Sequence, residues 1–258
     1  MGFTQRPLKR RKGFIGPVMS FDRRMSTLAL RRAKRLDALN RGTRGFLGVE
    51  RKFYDTALTA TAIASPTDAT GAELDPSATS MISTPAQGDG EQNRDGKQIA
   101  CLYMDLNGII NVPAVEDAAN PVGPITIYLA VVLDTQTNAA QLNSEDVFKN
   151  TGAAALLAAS PMKNLLFGKR FRILKASTFM FPMVQNTVEG DNLHSSSGQQ
   201  KAFRWFIPLR GLKINFNGGT TASIANVIDN SIHVIAYSSN SISLAPTLQY
   251  NARLRFMG

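Results

Sequence analysis

The feature that most constrains the fold of this chain is an alternation of apolar and polar residues with period two, which begins near Phe53 and recurs toward the C-terminus. The segment LQYNARLRF, residues 248–256, is the clearest case. Because successive side chains of a strand point to opposite faces, this segment predicts a strand with one buried and one wet face. Alternation broken by turn-rich loops is typical of antiparallel sheet.

The other strand candidates bring the total to about eight. They are residues 52–63, 98–112, 124–134, 169–182, 201–216 (read as two strands) and 231–238. Residues 124–134 are apolar on both faces and predict a central strand, while residues 144–157 are the one helical stretch of the body. With long polar loops at 64–78 and 186–199, this pattern predicts an all-β fold: an eight-stranded single jelly roll, that is, a two-sheet β-sandwich.

Residues 201–216 contain a change of parity. Phe203, Trp205 and Ile207 share one face, but after Gly211 the apolar positions move to the even-numbered residues. An extra residue at Gly211 restores the facing, so the sequence predicts a bulge or a corner between two strands there.

Positive charge is concentrated at the N-terminal end. Residues 1–52 contain 15 Lys and Arg against 3 Asp and Glu, whereas the remainder contains 14 against 16. The formal net charge of +10 therefore belongs to an arm, residues 1–52, attached to a nearly neutral body, residues 53–258. We expect the arm to be partly disordered or helical and to bind a polyanion.

The arm is the predicted nucleic-acid-binding element, and it would act by neutralising phosphates with little preference for base. Its candidate residues are Lys9, Arg10, Arg11, Lys12, Arg23, Arg24, Arg31, Arg32, Lys34, Arg35, Arg41 and Arg44. The motifs LKRRKG and LRRAKR also match nuclear-import signals. Weaker candidates are Phe14, Phe21 and Phe46, which could stack on unpaired bases or pack against an inner wall, and Arg253 and Arg255 on the wet face of the last strand.

Several segments, taken in order, carry a family resemblance. They are PAQGDGEQNRDGKQI with Gln87, Gly88, Arg94, Gly96 and Ile99; VVLDTQTNAAQ with Asp134, Gln136, Thr137 and Asn138; and LLFGKRFRIL with Phe167, Gly168, Arg170 and Phe171. This chain resembles the capsid proteins of small circular, Rep-encoding single-stranded DNA viruses (CRESS-DNA, circovirus-like). The resemblance implies a jelly roll that closes into a small icosahedral T=1 shell with the arm facing the genome.

The partners and locations expected from these observations follow that resemblance. They are single-stranded DNA, with RNA as an open alternative, about 60 copies of the chain in the simplest closed shell, and a nuclear-import receptor. The expected locations are the virion and, during assembly, the host nucleus. Rival interpretations are the capsid of a small RNA virus, a non-viral nucleic-acid-binding β-domain and an enzyme with a basic targeting tail.

No pattern in the sequence predicts catalysis, a metal site or a cofactor. His194, His233 and Cys101 have no ligand spacing, and the segment DGEQNRDG lacks the glycine and glutamate of a calcium loop. A single cysteine excludes an intrachain disulfide. The longest apolar run, ITIYLAVVL, is about half of a membrane span, so no membrane insertion and no secretory signal are expected.

Overall fold

The computed structural model describes residues 50–63, 73–77, 79–113, 124–148, 161–182, 188–189, 192–193, 198–239 and 245–258. These residues form β1 (Arg51–Ala62), β2 (Gln98–Val112), β3 (Ile125–Asp134), α1 (Ser144–Val147), β4 (Phe171–Phe181), β5 (Val188–Glu189), β6 (Asn192–Leu193), β7 (Gln199–Phe216), β8 (Val227–Asp229), β9 (Ser231–Ser238) and β10 (Thr247–Met257). The bounds of β2 and β9 are those predicted from the alternation, and the other long strands agree within one or two residues.

The strands form two main antiparallel sheets. One has the order β1-β10-β2-β7-β8 and the other the order β4-β3-β9, while β5 and β6 pair only with each other. An antiparallel bridge between Glu73 and Ile235 adds a further short segment beside β9. With that segment as the second of eight principal strands, the sheets have the orders 1-8-3-6 and 2-7-4-5, which is the strand order of a jelly roll. The predicted fold class is confirmed.

The second of the eight principal strands is very short, with a single bridge between Glu73 and Ile235. Leu74 donates its N–H to Val234 O at 2.8 Å, but the N–H of Val234 is capped by the Asp75 carboxylate at 3.1 Å and that of Ile232 by the Ser83 hydroxyl at 3.1 Å. Side chains therefore satisfy the edge of β9 where a longer strand would otherwise pair. The sequence placed this region in the loop 64–78 and counted residues 201–216 as two strands, whereas β7 is continuous.

Apolar side chains from both sheets fill the space between them. One buried cluster contains Met104 and Leu106 of β2 together with Leu129 and Val131 of β3. A sandwich closed in this way stabilises itself by burial of apolar area, which contributes roughly 25 cal/mol per Å².

The outer face of the three-stranded sheet is also covered, which explains why β3 is apolar on both faces. Phe148 makes edge-on contacts with Tyr128 and Tyr237, at centroid distances of 5.5 and 5.9 Å. Phe148 has extended backbone and bridges to Lys163, so α1 ends at Val147. The helix predicted over 144–157 therefore stops after one turn, because Phe148 packs against Tyr128 and Tyr237; residues 149–160 lie outside the described residues.

The predicted irregularity at Gly211 is a bulge. The pairs Cys101–Leu212 and Tyr103–Pro208 enclose a single residue of β2 opposite Leu209, Arg210 and Gly211 of β7. Arg210 and Gly211 have positive φ, 54° and 81°. The bulge restores the inward facing of the apolar residues on both sides of it.

In the part of the chain that the structure describes, no helix has the length and apolar character required to span a membrane.

Candidate nucleic-acid interface

The predicted arm residues, from Lys9 through Arg44 together with Phe14, Phe21 and Phe46, lie outside the described residues. Nucleic-acid binding by the arm therefore stays a prediction. The two weaker candidates on β10 are described, and they define the surface considered below.

That surface is the outer face of the five-stranded sheet. The inward side of β10 is buried, and Arg253 and Arg255 project from its other side, as the alternation predicts. Cross-strand pairing places Phe53 of β1 and Tyr103 of β2 beside Arg255, and Asp55 and Asp105 beside Arg253. Neighbouring strands thus align these side chains in rows across the sheet.

Arg253 is fixed by an ion pair. Its Nε and Nη2 donate to the two carboxylate oxygens of Asp55 at 2.7 and 2.6 Å, and its guanidinium lies 5.1 Å from the centre of the Phe53 ring. The hydrogen bonds with Asp55 and the nearby carboxylates raise the pKa of Arg253. Because Asp55 already offsets this charge, Arg253 is a weaker phosphate ligand than its position on the exposed face suggests.

One exposed and two half-buried aromatic residues lie among the cations. Tyr103 and Phe206 stack at 5.0 Å with an interplanar angle of 36°, and Phe206 is 61% exposed. The guanidinium of Arg255 lies 5.8 Å from the Phe53 ring. Flat rings beside guanidinium groups are the arrangement on which single-stranded bases stack.

A shallow groove runs along the same face. It has a volume of 540 Å³, and its polar lining consists of Asp55, Thr56, Asp105, Asn107, Arg204, Asn251 and Arg253. Amide side chains and an arginine supply hydrogen-bond donors for phosphate or base edges, whereas the two carboxylates oppose an anion. The groove therefore favours a ligand with polar groups of both kinds over a bare anion.

Four members of this face were not predicted from the sequence: Phe53, Tyr103, Arg204 and Phe206. For Arg204 and Phe206 a signal is present in the segment AFRWFIPLR, where the face opposite to Phe203, Trp205 and Ile207 carries these two residues. An aromatic residue on the wet side of a strand can be recognised from parity alone, once the buried side has been assigned.

The structure also assembles a Ser–His–Asp chain that the sequence did not reveal. Ser231 Oγ lies 2.7 Å from His233 Nε2, and His233 Nδ1 lies 2.8 Å from the Asp75 carboxylate. Thr137 donates to Ser231 Oγ at 2.7 Å. All the donors are accounted for when Nδ1 carries the proton, because Asp75 accepts from it and Ser231 donates to Nε2.

The Ser231–His233–Asp75 hydrogen bonds have the connectivity of a catalytic triad, but the serine hydroxyl is not exposed to solvent as a nucleophile must be. Ser231 and His233 are completely buried, and the Ser231 hydroxyl both accepts from Thr137 and donates to His233. A nucleophile must reach a substrate, and this oxygen is enclosed by protein. We interpret Ser231, His233 and Asp75 as a buried hydrogen-bond network that joins β9 to the segment around Asp75.

Some of the residues that carry the family resemblance form hydrogen bonds between neighbouring strands. Arg170 donates to both oxygens of Asp134, at 2.9 and 2.8 Å, and Asp134 accepts the N–H of Gln136 at 2.9 Å. Arg170 O in turn accepts from Thr135 N–H at 3.0 Å. These contacts join the end of β3 to the beginning of β4, and their polar side chains stabilise the fold.

Among the described residues, no three His, Cys, Asp or Glu side chains lie close enough together to hold a metal ion. His233 is buried in its network, His194 lies outside the described residues, and burial raises the pKa of the Cys101 thiol. Within the former calcium-loop candidate, Asp95 pairs with the buried Lys52.

Comparison with known proteins gives little. No protein-family model matches the chain, and no curated protein matches it. One similar solved structure is a crystal structure of a 60-mer of the BFDV capsid protein, with 7% sequence identity and a TM-score of 0.27, covering 81% of this chain and 92% of that one. A likeness this low decides neither the fold nor the function.

Proposed function

We propose that this protein is the structural subunit of a small icosahedral virus shell that encloses a single-stranded DNA genome. The body would form the wall by association of about 60 identical copies, and the basic arm would neutralise the packaged phosphates. The proposed role is structural, without catalysis.

The observation that carries the proposal is the combination of an eight-stranded jelly roll with strongly segregated charge. Residues 1–52 have a surplus of twelve positive charges, while residues 53–258 have a small negative net charge. A ribosomal or other cellular nucleic-acid-binding domain would normally place basic residues on its folded body as well. Segregation of this kind fits a wall that meets its polyanion through one basic segment.

The outer face of the five-stranded sheet supports a second, weaker contact with the cargo. Arg204, Arg255 and the rings of Tyr103 and Phe206 provide cations and stacking surfaces on one continuous side of the body. Stacking on aromatic rings requires unpaired bases, so this face favours a single-stranded cargo over a duplex.

The preference for DNA over RNA rests on the sequence resemblance. Phosphate contacts do not distinguish the sugars, and a 2′-hydroxyl contact would be needed to select RNA. The proposed locations of the protein are the virion and, during assembly, the host nucleus. An import receptor would recognise the same basic motifs that bind the genome.

Electron microscopy of the purified full chain, before and after nuclease treatment, tests the proposal. Uniform closed particles that protect nucleic acid are expected, and sequencing of the protected strands decides between DNA and RNA. Monomers or dimers at high protein concentration and physiological salt would contradict a shell.

A further inference from the structure

The sequence contains two Asn–Gly pairs, Asn107–Gly108 and Asn217–Gly218. In such a pair the backbone nitrogen of the glycine can attack the side-chain carbonyl carbon of the asparagine, because the glycine has no side chain to shield that nitrogen. Both asparagines are exposed. Exposure therefore does not distinguish the two pairs, and the surrounding backbone decides which of them reacts.

The first pair is held in the middle of the five-stranded sheet. Gly108 pairs with Phe203 of β7 on one side and with Tyr250 of β10 on the other. The N–H of a residue in a central strand takes part in the hydrogen-bond ladder. A Cβ added at Gly108 would lie 2.6 Å from both Gln249 O and the Phe203 ring, so the backbone has no room to shift. The nitrogen of Gly108 therefore cannot turn toward the Asn107 side chain.

The second pair lies in the loop after β7, where the backbone is open. Gly218 is exposed, and its N–H has no hydrogen-bond partner among the described residues. A Cβ added at Gly218 would meet no atom within 4 Å. The nitrogen of Gly218 is thus outside any ladder and accessible to the solvent base that must remove its proton.

The Asn217 side chain is already oriented by two hydrogen bonds. Gly219 N–H donates to Asn217 Oδ1 at 2.8 Å, and Asn217 Nδ2 donates to Ala225 O at 2.9 Å. Negative charge develops on Oδ1 when the amide carbon is attacked. An N–H directed at that oxygen stabilises the tetrahedral intermediate, as the oxyanion hole does in acyl-transfer enzymes.

The loop that carries this N–H is itself fixed. A Cβ added at Gly219 would overlap the Asn226 side chain, so the backbone packs directly on that residue. Gly219 O accepts from the buried Arg94, and Asn217 N–H donates to Asn226 O at 2.8 Å. The donor is therefore in position before the reaction begins.

We propose that Asn217 is a site of spontaneous deamidation, at which the chain converts to aspartate and isoaspartate, while Asn107 is protected. Solvent base removes the proton of Gly218 N, and this nitrogen forms a bond to Asn217 Cγ. The Cγ–Nδ2 bond then breaks, and the amine leaves as ammonia with a proton from water. Water opens the resulting succinimide at either carbonyl, and it is the only co-reactant. The proposal does not depend on the proposed shell.

Conversion changes the contacts of the loop. The new carboxylate can still accept Gly219 N–H, but it has no donor for Ala225 O and is repelled by that carbonyl. The lost bond connects the loop after β7 to the short 3-10 helix Ile224–Asn226. Isoaspartate also adds a carbon to the backbone at this point, so conversion should loosen the loop.

Peptide mapping by mass spectrometry of the folded full-length protein, incubated in mildly alkaline buffer, tests the proposal. We expect the peptide with Asn217 to acquire the mass of the acid, together with isoaspartate, about tenfold or more faster than the peptide with Asn107. In the denaturant-unfolded protein the two pairs should convert at similar rates, because the same dipeptide is then free of the fold. The rate at Asn217 should rise with pH, since Gly218 N must lose its proton.

Gly218→Ala is the matched variant, because the site is open and the protein should keep its fold, as circular dichroism would verify. The added methyl group crowds the attacking nitrogen, so conversion at Asn217 should slow markedly. Equal rates at Asn107 and Asn217 in the folded protein, or no conversion at Asn217, would overturn the proposal. Conversion of Gly218→Ala at the wild-type rate would overturn attack by this nitrogen.

Discussion

The guanidinium of Arg94 lies 4.3 Å from the centre of the Phe216 ring, in an environment where Arg94 is completely buried. Its Nη atoms donate to Gly96 O and Gly219 O, so the side chain joins the loop before β2 to the loop after β7. Burial lowers the pKa of Arg94, and its Nε has no hydrogen-bond partner. The charge is stabilised by carbonyl dipoles and a π face in place of a carboxylate.

Replacing Arg94 with methionine should destabilise the body by roughly 3 kcal/mol, because two partly buried carbonyls lose their donors while the volume is nearly kept. Arg204→Met, at an exposed position, is the matched control and should change stability by about 0.5 kcal/mol or less. Urea unfolding measures both. Similar values for the two variants would mean that the buried contacts of Arg94 contribute little.

Removal of residues 1–44 takes away 13 of the 15 arm cations and leaves Arg51 and Lys52 at the beginning of β1. The shortened protein should fold and should carry far less nucleic acid. Ultraviolet absorbance of nuclease-treated particles measures the ratio of nucleic acid to protein. An equal ratio in both forms would contradict packaging by the arm, and an insoluble product would make the arm part of the folded wall.

Replacing Tyr103 and Phe206 with alanine should weaken binding of a single-stranded oligonucleotide by about fivefold or more, because stacking contributes roughly 1–3 kcal/mol per base. The measurement is fluorescence anisotropy of the full chain at high salt, where phosphate contacts of the arm are suppressed and stacking persists. Ile109→Ala changes an exposed non-aromatic residue of the same face and should have no effect. Unchanged affinity in the aromatic variant would remove this face from the cargo interface.

Gly211→Val should destabilise the fold by about 2 kcal/mol or more, because the residue has φ of 81°, which a β-branched side chain tolerates poorly. An added Cβ would meet no atom within 4 Å, so the effect would come from the backbone. Gly218→Val is the control, since that site is equally open without a positive φ. Equal melting temperatures for the two variants would contradict a strained bulge.

Asp75→Ala should destabilise the fold by roughly 2–4 kcal/mol, because the buried His233 ring and the Val234 N–H both lose their acceptor. Asp55→Ala breaks an exposed pair with Arg253 and should cost about 1 kcal/mol or less. Chemical denaturation compares the two. A small effect at Asp75 would indicate that water replaces its carboxylate.

Local pattern was sufficient for much of this structure and insufficient where contacts are distant in sequence. Alternation located β2 and β9, and the parity change identified the bulge at Gly211. The strand segment at Glu73 has one bridge and therefore no period to detect. The pairing of His233 with Asp75 joins residues 158 positions apart, which no local pattern records.

The same limit applies to the candidate interface. Arg253 and Arg255 were recognised because their own strand has a clear wet side. Their partners Phe53, Tyr103 and Asp55 come from two other strands, and only the cross-strand register brings these side chains together. The bidentate bond that offsets the charge of Arg253 could not be foreseen from β10 alone.

The position of β10 between β1 and β2 has a consequence for biosynthesis. Asp55 and Arg253 are 198 residues apart, so among the described strands β1 has no neighbour in its sheet until β10 leaves the ribosome. Sheets closed by such distant pairs form slowly, and the nascent chain must keep its apolar strands from aggregating until then. A chain that lacks β10 would lack the strand that joins β1 to the rest of its sheet, so a loss at this one strand would disconnect the first strand of the sandwich.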